Sequence, residues 1–454
     1  MGKKQLDTMK LKNSTNLHSL LGNVVYAGFS MVLFIMLARF TDKELYGRWV
    51  IFITALGLLD MLRIGLAGTG AIRYISTSVG TDRDMTVGTA YHLNILTTVA
   101  ITILFVPAWL LLSPHAADNY YLPVLLFYPL CAFASLPHIQ AANYSQGIMD
   151  FRRVMIIRAL VGFFNLAFMG IYIYLADETL TGLILMYSLS DVTVSVVAML
   201  MRWDGWKFLK YFNRSIMKDL LRFGKFSSAI SISSSLLRSS DTFIISLSAA
   251  MGAPAVAIYT IPMKLVEMIE IPLRSFAATA FPKLSTGFHE KSDRFVKDFN
   301  TYLSYSVLML IPVILLLPFL SEWVLLFFGG NQYIDALDTQ KNILLIITFY
   351  ILTLPFDRFI GVALMAINKP ELNFYKLLIM LVLNISFDLI AVFVFQSLEL
   401  VAMATILFTI TGIVTGWRML VKHTEIRIKN TLEDLSTNID GLKTKYSSRL
   451  FKRY

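Results

Sequence analysis

The feature that most constrains this chain is a series of long apolar runs, about twelve in number, each near the length of a membrane-spanning helix. A helix that crosses the hydrocarbon core of a bilayer needs about 20 mostly apolar residues. The sequence therefore predicts an all-α, polytopic membrane protein with hardly any chain left for a soluble domain. The runs lie at roughly 17–38, 49–67, 87–112, 120–138, 154–176, 179–201, 226–249, 255–280, 300–320, 340–366, 372–396 and 399–421.

Composition supports this prediction and removes other classes. Of the 454 residues, 56% are hydrophobic and 15% are charged, whereas soluble domains average about 45–50% and about 25%. A single cysteine, Cys131, excludes an internal disulfide and a cysteine-based zinc site. The net charge of +10 indicates a partner only when the positions of the charges along the chain are known. In an apolar chain, the distribution of Lys and Arg reports how the chain is oriented in the membrane.

The cations indicate which side of the membrane each loop occupies. With the N-terminus inside, sixteen Lys and Arg residues fall in inner loops and only Arg39, Lys43, Arg48 and Lys341 at the outer side. Positive residues concentrate on the cytoplasmic side. An even number of spans then places both termini in the cytoplasm, and the net charge calls for no nucleic-acid partner.

The chain is predicted to have four parts. Residues 1–202 and 226–421 each hold six spans, and 422–454 form a basic cytoplasmic tail. Residues 203–225 carry Lys and Arg between apolar residues at helical spacing, after Trp203. That pattern predicts an amphipathic helix on the inner membrane surface, either a hinge between the halves or an anchor for anionic lipid.

The two six-span halves resemble each other in sequence. Span two runs from Tyr46 through Arg63 to a cationic end, and span eight runs from Tyr259 through Arg274 to a cationic end, at an offset of 210–213 residues. Six spans per half give both halves the same orientation, so the repeat is parallel. Transporters built in this way bind substrate between their lobes and alternate access by rocking them.

Charged residues inside the predicted spans are candidates for function, because each is costly in the bilayer without a partner or a water-filled cavity. Arg and Lys suit phosphate groups, and surplus acids suit proton or sodium sites. Several of these charges are also spaced to form ion pairs along one helix face. The alternative to a functional role is that such pairs are purely structural. Those pairs are Asp60–Arg63, Arg238–Asp241, Lys264–Glu267 and Glu270–Arg274.

Span seven carries a run of hydroxyl groups that includes Ser231 and Ser235. A helix this polar suits the wall of a hydrated cavity better than a lipid-facing surface. The chain contains no Walker A sequence and no histidine or cysteine cluster with metal-ligand spacing. We therefore expect no ATP hydrolysis, no metal, no cofactor and no catalytic residues.

Two stretches carry a resemblance to a known family. LARFTDKELYGRWVIF (37–52) is similar to the start of polysaccharide-biosynthesis flippases, which have an acidic-Tyr-Gly turn before span two. Residues 239–285 resemble their central signature, in which an Asp of span seven precedes a small-residue turn, a Tyr and a Pro-Lys-Leu-Ser end. Here those positions are Asp241, Gly252, Tyr259 and 282–285, and Ala257 departs from the Gly that is frequent before the Tyr.

The resemblance implies an oligosaccharide-repeat-unit flippase of the multidrug/oligosaccharidyl-lipid/polysaccharide exporter superfamily. Such proteins move undecaprenyl-pyrophosphate-linked oligosaccharides across the bacterial inner membrane. Their two lobes form a V, and spans one and seven line its central cavity.

We accordingly expect the anionic headgroup to contact Arg63, Arg238, Lys264, Arg274, Ser231 and Ser235. Asp60, Asp241 and Glu267 are the expected groups for coupling to H⁺ or Na⁺. The alternative is a cation-coupled multidrug exporter, favoured by the surplus of intramembrane acids and opposed by the fixed arginines. A membrane enzyme would need a larger outer segment than the longest one here, at roughly 321–342.

Overall fold

The computed structural model describes residues 3–112, 120–175, 178–290 and 294–427. Within these ranges the chain forms twelve α-helices and no strand, which confirms the predicted fold class and helix number. The helices are α1 (Lys3–Phe40), α2 (Lys43–Thr77), α3 (Gly80–Leu112), α4 (Leu122–Gly147), α5 (Phe151–Leu175), α6 (Leu180–Leu200), α7 (Arg214–Ser246), α8 (Gly252–His289), α9 (Arg294–Gly329), α10 (Leu337–Ala366), α11 (Pro370–Phe393) and α12 (Leu398–Val421).

Ten of the helical segments in the described ranges are long and apolar enough to cross a membrane. The helices α7 and α8 lie outside this set of ten. They carry the serine run and the pairs Lys264–Glu267 and Glu270–Arg274. The two helices outside the set of candidate spans therefore hold most of the polar residues selected from the sequence as candidate site residues.

Local sequence explains where the helices begin and end. The Asp42 side chain caps α2 by accepting the N–H of Leu45 at 2.8 Å, and Thr179 caps α6 in the same way. Met149 follows α4 and Asn368 follows α10, and both have left-handed backbone, with φ of 63° and 60°. The same unusual turn thus closes the fourth helix of each half.

The chain divides into two compact units, residues 1–235 and 236–454. In the first unit the second, third and fourth helices pack against one another, and the fourth and fifth helices each pack against the sixth. In the second unit α8, α9 and α10 pack together in the same way, and α10 and α11 each pack against α12. This shared pattern supports the predicted internal repeat.

The segment between α6 and α7 differs from the expected amphipathic helix over 203–225. It contains a 3₁₀ turn, Trp206–Phe208, and α7 begins at Arg214. Phe208 is buried in a cluster with residues of α2 and α3, and the Asn213 N–H donates to Thr89 Oγ1 at 3.0 Å. Phe208 therefore packs into the first unit, whereas Trp206 and Phe212 are exposed, and the predicted helix is present only from Arg214 onward. The predicted tail 422–454 lies outside the described residues beyond 427.

Candidate functional site

The first unit buries the arginine that the sequence placed in span two. Arg63 is 2% exposed, and its Nη2 lies 2.9 Å from both Asp60 Oδ1 and Ser135 Oγ of α4. Its Nη1 donates to the carbonyl of Ala132, also on α4. The predicted Asp60–Arg63 pair is therefore present, and the guanidinium joins α2 to α4 with no open side in this conformation.

The two serines chosen from span seven lie in the part of α7 that belongs to the first unit, and both are half-buried. Nearby, Ser228 is buried against Gly65 of α2, where a Cβ on that glycine would come within 3.0 Å of the serine Cα. Only a glycine at this position of α2 allows the polar helix to approach so closely.

The second unit gathers three arginines around one glutamate. Glu270 Oε2 lies 2.8 Å from Arg274 Nη2, one turn along α8, and 3.3 Å from Arg358 Nη2 of α10. Arg238 of α7 is exposed and interacts electrostatically with the same group. The predicted Arg238–Asp241 ion pair is absent among the described side chains, because Arg238 belongs to this cluster while Asp241 faces other partners.

This arginine cluster is open on one side. The side chains of Arg274 and Arg358 are 45% and 36% exposed, whereas that of Glu270 is only 10% exposed. Charged groups in the middle of a membrane helix face water or a partner, not lipid. Three guanidinium groups against one carboxylate leave a positive excess on a hydrated surface, which suits phosphate oxygens. Lys264 pairs with Glu267 at 2.6 Å, with both side chains exposed.

Asp241 lies in a separate, buried network of the second unit. Its Oδ2 accepts a hydrogen bond of 2.7 Å from Tyr259 of α8, and its Oδ1 accepts one of 3.0 Å from Asn384 of α11. Asp388, one turn further along α11, is fully buried and interacts electrostatically with the Asp241 carboxyl group.

The network contains more acceptors than donors. Both carboxyl oxygens of Asp388 and the side-chain oxygen of Asn384 are buried with no hydrogen-bond donor in the described part of the chain. Buried oxygens without donors are strongly unfavourable. A proton or a hard cation between the two carboxyl groups would satisfy them.

The sequence-based selection of site residues included neither Asp388 nor Asn384. The spacing of Asn384 and Asp388 at i,i+4 in the largely apolar second half of α11 was the available signal. The selection also missed Lys376, which is 1% exposed and pairs with Asp357 at 2.6 Å. These partners come from different helices, so only the packing brings them together.

The fold and these charged groups define a class of protein. The structure is similar to an inward-facing multidrug resistance MATE family transporter of the MOP superfamily, with a TM-score of 0.73, 17% identity, and coverage of 89% of this chain and 98% of that one. It is also similar to the lipid II flippase MurJ in an inward closed conformation, with a TM-score of 0.71, 16% identity, and coverage of 95% and 92%.

A third similar structure is a MOP superfamily transporter from Pyrococcus furiosus, described as having a binding pocket of reverse polarity. Its TM-score is 0.61 at 18% identity, over 89% of this chain and 94% of that one. This protein is therefore a multi-pass membrane protein with the fold of the MOP superfamily. Comparison with curated protein sequences gives no significant match.

Sequence comparison then gives the family. Residues 36–338 match the model of a family described as polysaccharide biosynthesis protein. Because the match covers most of the chain, the protein belongs to this family.

Proposed function

We propose that this protein is a flippase that translocates an undecaprenyl-pyrophosphate-linked oligosaccharide across the bacterial inner membrane by alternating access. The observation that carries the proposal is the open cluster of Arg238, Arg274 and Arg358 around Glu270. Membership in the polysaccharide biosynthesis family supports a glycan substrate, and similarity to a structure named as a lipid II flippase supports a lipid-linked one.

A pyrophosphate headgroup fits the arginine cluster chemically. Guanidinium groups bind phosphate through paired, charge-assisted hydrogen bonds. Arg274 uses its Nε and Nη2 atoms on Glu270 and Arg358 uses its Nη2 atom. A guanidinium group has five N–H donors, so a phosphate can bind to the others without breaking that ion pair. An organic cation would be repelled by the same positive excess, which is why we favour the flippase over the multidrug exporter.

The other residues chosen from sequence have distinct roles in this proposal. Arg63 contacts the headgroup only in a conformation that releases it from α4. Ser231 and Ser235 supply hydroxyl groups for the sugars, and Lys264 supplies a further cation for the headgroup. Glu267 balances the charge of Lys264, and Asp60 balances the charge of Arg63. Both acids are available for ion coupling.

We propose that the coupling ion binds at Asp241 and Asp388. The excess of buried acceptors there is relieved by H⁺ or Na⁺. Binding of the ion removes repulsion between two buried carboxylates and so stabilises the conformation in which they are close. The distribution of cations along the sequence supports an orientation with both termini in the cytoplasm.

Complementation of a deletion strain tests the substrate assignment. We expect Arg238→Ala and Arg274→Ala each to reduce glycan export about tenfold or more at normal expression, and the double variant to abolish it. Arg48→Ala is a matched control, because Arg48 forms an i,i+4 pair with Glu44 at 2.6 Å, far along the chain from the cluster. Normal export by both single variants and the double variant would refute the headgroup site. Increased drug sensitivity of the deletion strain with normal glycan export would favour the multidrug exporter.

Flux into proteoliposomes tests the coupling site. Translocation of a fluorescent lipid-linked oligosaccharide is measured under an imposed sodium gradient, an imposed proton gradient, or neither. We expect one gradient to accelerate translocation in the parent protein and to have no effect in Asp388→Asn or Asp241→Asn. Asp298→Asn, which lies near the start of α9, is the control and retains the acceleration.

A further inference from the structure

The first unit holds a second buried acidic position on different helices. Asp191 of α6 is 3% exposed and His138 of α4 is 7% exposed. The His138 Nε2 atom lies 3.9 Å from Asp191 Oδ1. Neither residue takes part in the arginine cluster or in the Asp241 network, both of which belong to the second unit.

Hydrogen bonds determine which nitrogen of His138 carries its proton. Ser195 Oγ donates its proton to the Ala134 carbonyl in a short bond of 2.6 Å. The same oxygen is 3.2 Å from His138 Nδ1 and 3.3 Å from the His138 backbone N–H. Because the hydroxyl proton is already committed, Ser195 accepts from both nitrogens, so Nδ1 is the donor.

This arrangement leaves two acceptors facing each other. A neutral His138 with its proton on Nδ1 presents the Nε2 lone pair to the Asp191 carboxylate. Nearby, Asp60 and Arg63 compensate each other at 2.9 Å. Without an added proton, the four groups carry one uncompensated negative charge in a buried site, and burial of an unpaired charge is strongly unfavourable.

We infer that His138 and Asp191 together bind one proton, which makes them a proton site of the first unit. The proton lies either on Nε2, as an imidazolium paired with the carboxylate, or on the carboxyl group, facing the Nε2 lone pair. In both forms the buried group of four is neutral. The inference does not depend on which substrate the protein moves.

Other titratable and charged groups surround the pair, and any interpretation of its pH dependence has to include them. They are Tyr26 on α1, Asp60 and Arg63 on α2, Tyr128 and Cys131 on α4, Arg158 on α5, which reaches Tyr26, and Tyr187 on α6. Arg63 is the fixed cation among the groups that act directly on the pair, and its charge is opposed by Asp60. The proton is therefore the group that balances Asp191.

Spectroscopy of the full-length protein in lipid nanodiscs tests the site at pH 7. Nitrogen NMR of ¹⁵N-histidine protein detects an imidazolium at His138, identified by its loss in His138→Gln. Infrared difference spectra detect a protonated carboxyl group at Asp191, identified by its loss in Asp191→Asn. We expect the occupancies of the two signals to add up to one proton in the parent protein. A total of no proton, or of two protons, would overturn the inference.

A second variant separates the charge argument from the hydrogen bonds of His138. Ser195→Ala deletes the acceptor for Nδ1–H but leaves the charges of Asp60, Arg63 and Asp191 in place. Because the negative charge of Asp191 still requires an added proton, we expect Ser195→Ala to retain one bound proton on the pair. Loss of the proton from both His138 and Asp191 in this variant contradicts the inference.

Discussion

Asn384 on α11 donates a hydrogen bond of 3.0 Å to Asp241 on α7, while Asp388 one turn away has no donor in the described part of the chain. One carboxyl group of this pair is therefore satisfied by protein hydrogen bonds and the other is not. A buried group that costs stability is a common property of functional sites, because selection retains it for activity.

Asp388→Asn is expected to stabilise the protein and abolish its transport. The new amide supplies a donor toward Asp241 and removes a buried carboxyl group that has none, for a gain of about 1–2 kcal/mol. Thermal unfolding in detergent measures the first effect and glycan export measures the second. A lower unfolding temperature would show that Asp388 is part of a stabilising network and not an ion site.

Arg63→Ala is expected to destabilise the protein, in contrast to Arg238→Ala. Arg63 is buried between α2 and α4 with Asp60 as its counter-charge, and its removal leaves that carboxylate uncompensated. Breaking a buried pair in this way costs about 3–5 kcal/mol. Arg238 is exposed, so its removal should leave the unfolding temperature within experimental error. Equal unfolding temperatures for the two variants would contradict the burial of Arg63.

Gly88→Ala tests the docking of the segment between α6 and α7. A methyl group at Gly88 would meet the carbonyl oxygens of Phe208 and Tyr211, both of which are backbone atoms. We expect a loss of about 1–3 kcal/mol, because the segment must shift away from α3. Gly57→Ala is the matched control, since nothing lies within 4 Å of its added methyl group. It should leave stability unchanged or raise it by up to about 1 kcal/mol.

The stability of the folded protein is expected to depend on pH through Asp204, which lies outside the membrane-spanning helices. It lies between α6 and α7, is 1% exposed, and accepts the backbone N–H of Trp206 at 3.3 Å. Burial raises the pKa of this carboxyl group above its ordinary value of 3.8. Because the folded state favours the protonated form, the stability from Asp204 is complete at low pH and is lost as the pH rises through the raised pKa.

Asp204→Asn should remove that loss. We expect the variant to unfold at a higher temperature than the parent at pH 7 and at a similar temperature near pH 4. Melting curves of both proteins across this range give the comparison, with Asp219→Asn as the exposed control. A constant difference between parent and variant at every pH would contradict the assignment.

The sequence predicted the helices well because a membrane span is a local property. Length and apolarity of one segment decide whether it can span, and ten of the predicted spans are helical segments in the described part of the chain that meet both conditions, while α7 and α8 are helical but fall outside that set. The segment 203–225 was the exception. Its part from Arg214 onward is helical, as the start of α7, but residues 203–213 are not an α-helix, and Phe208 and Leu220 are buried against α2 and α3.

The site was predicted less completely, because charge pairs within one helix are visible in sequence and pairs between helices are not. Three of the four pairs read from i,i+3 or i,i+4 spacing are present, and Arg238–Asp241 is not. The structure instead joins Arg358 to Glu270 and Asn384 to Asp241, across sequence separations of 88 and 143 residues.

By itself, then, the sequence determined that this chain is a helical membrane protein with a duplicated six-helix plan and charges kept within the bilayer. The high cost of a charge in lipid makes each of those charges conspicuous in a row of apolar residues. Only the tertiary structure decided which charges are satisfied. Arg63 and Arg274 hold corresponding places in α2 and α8, yet contacts with α4 bury one, while the other remains 45% exposed. That difference depends on the neighbouring helices, and no local pattern encodes it.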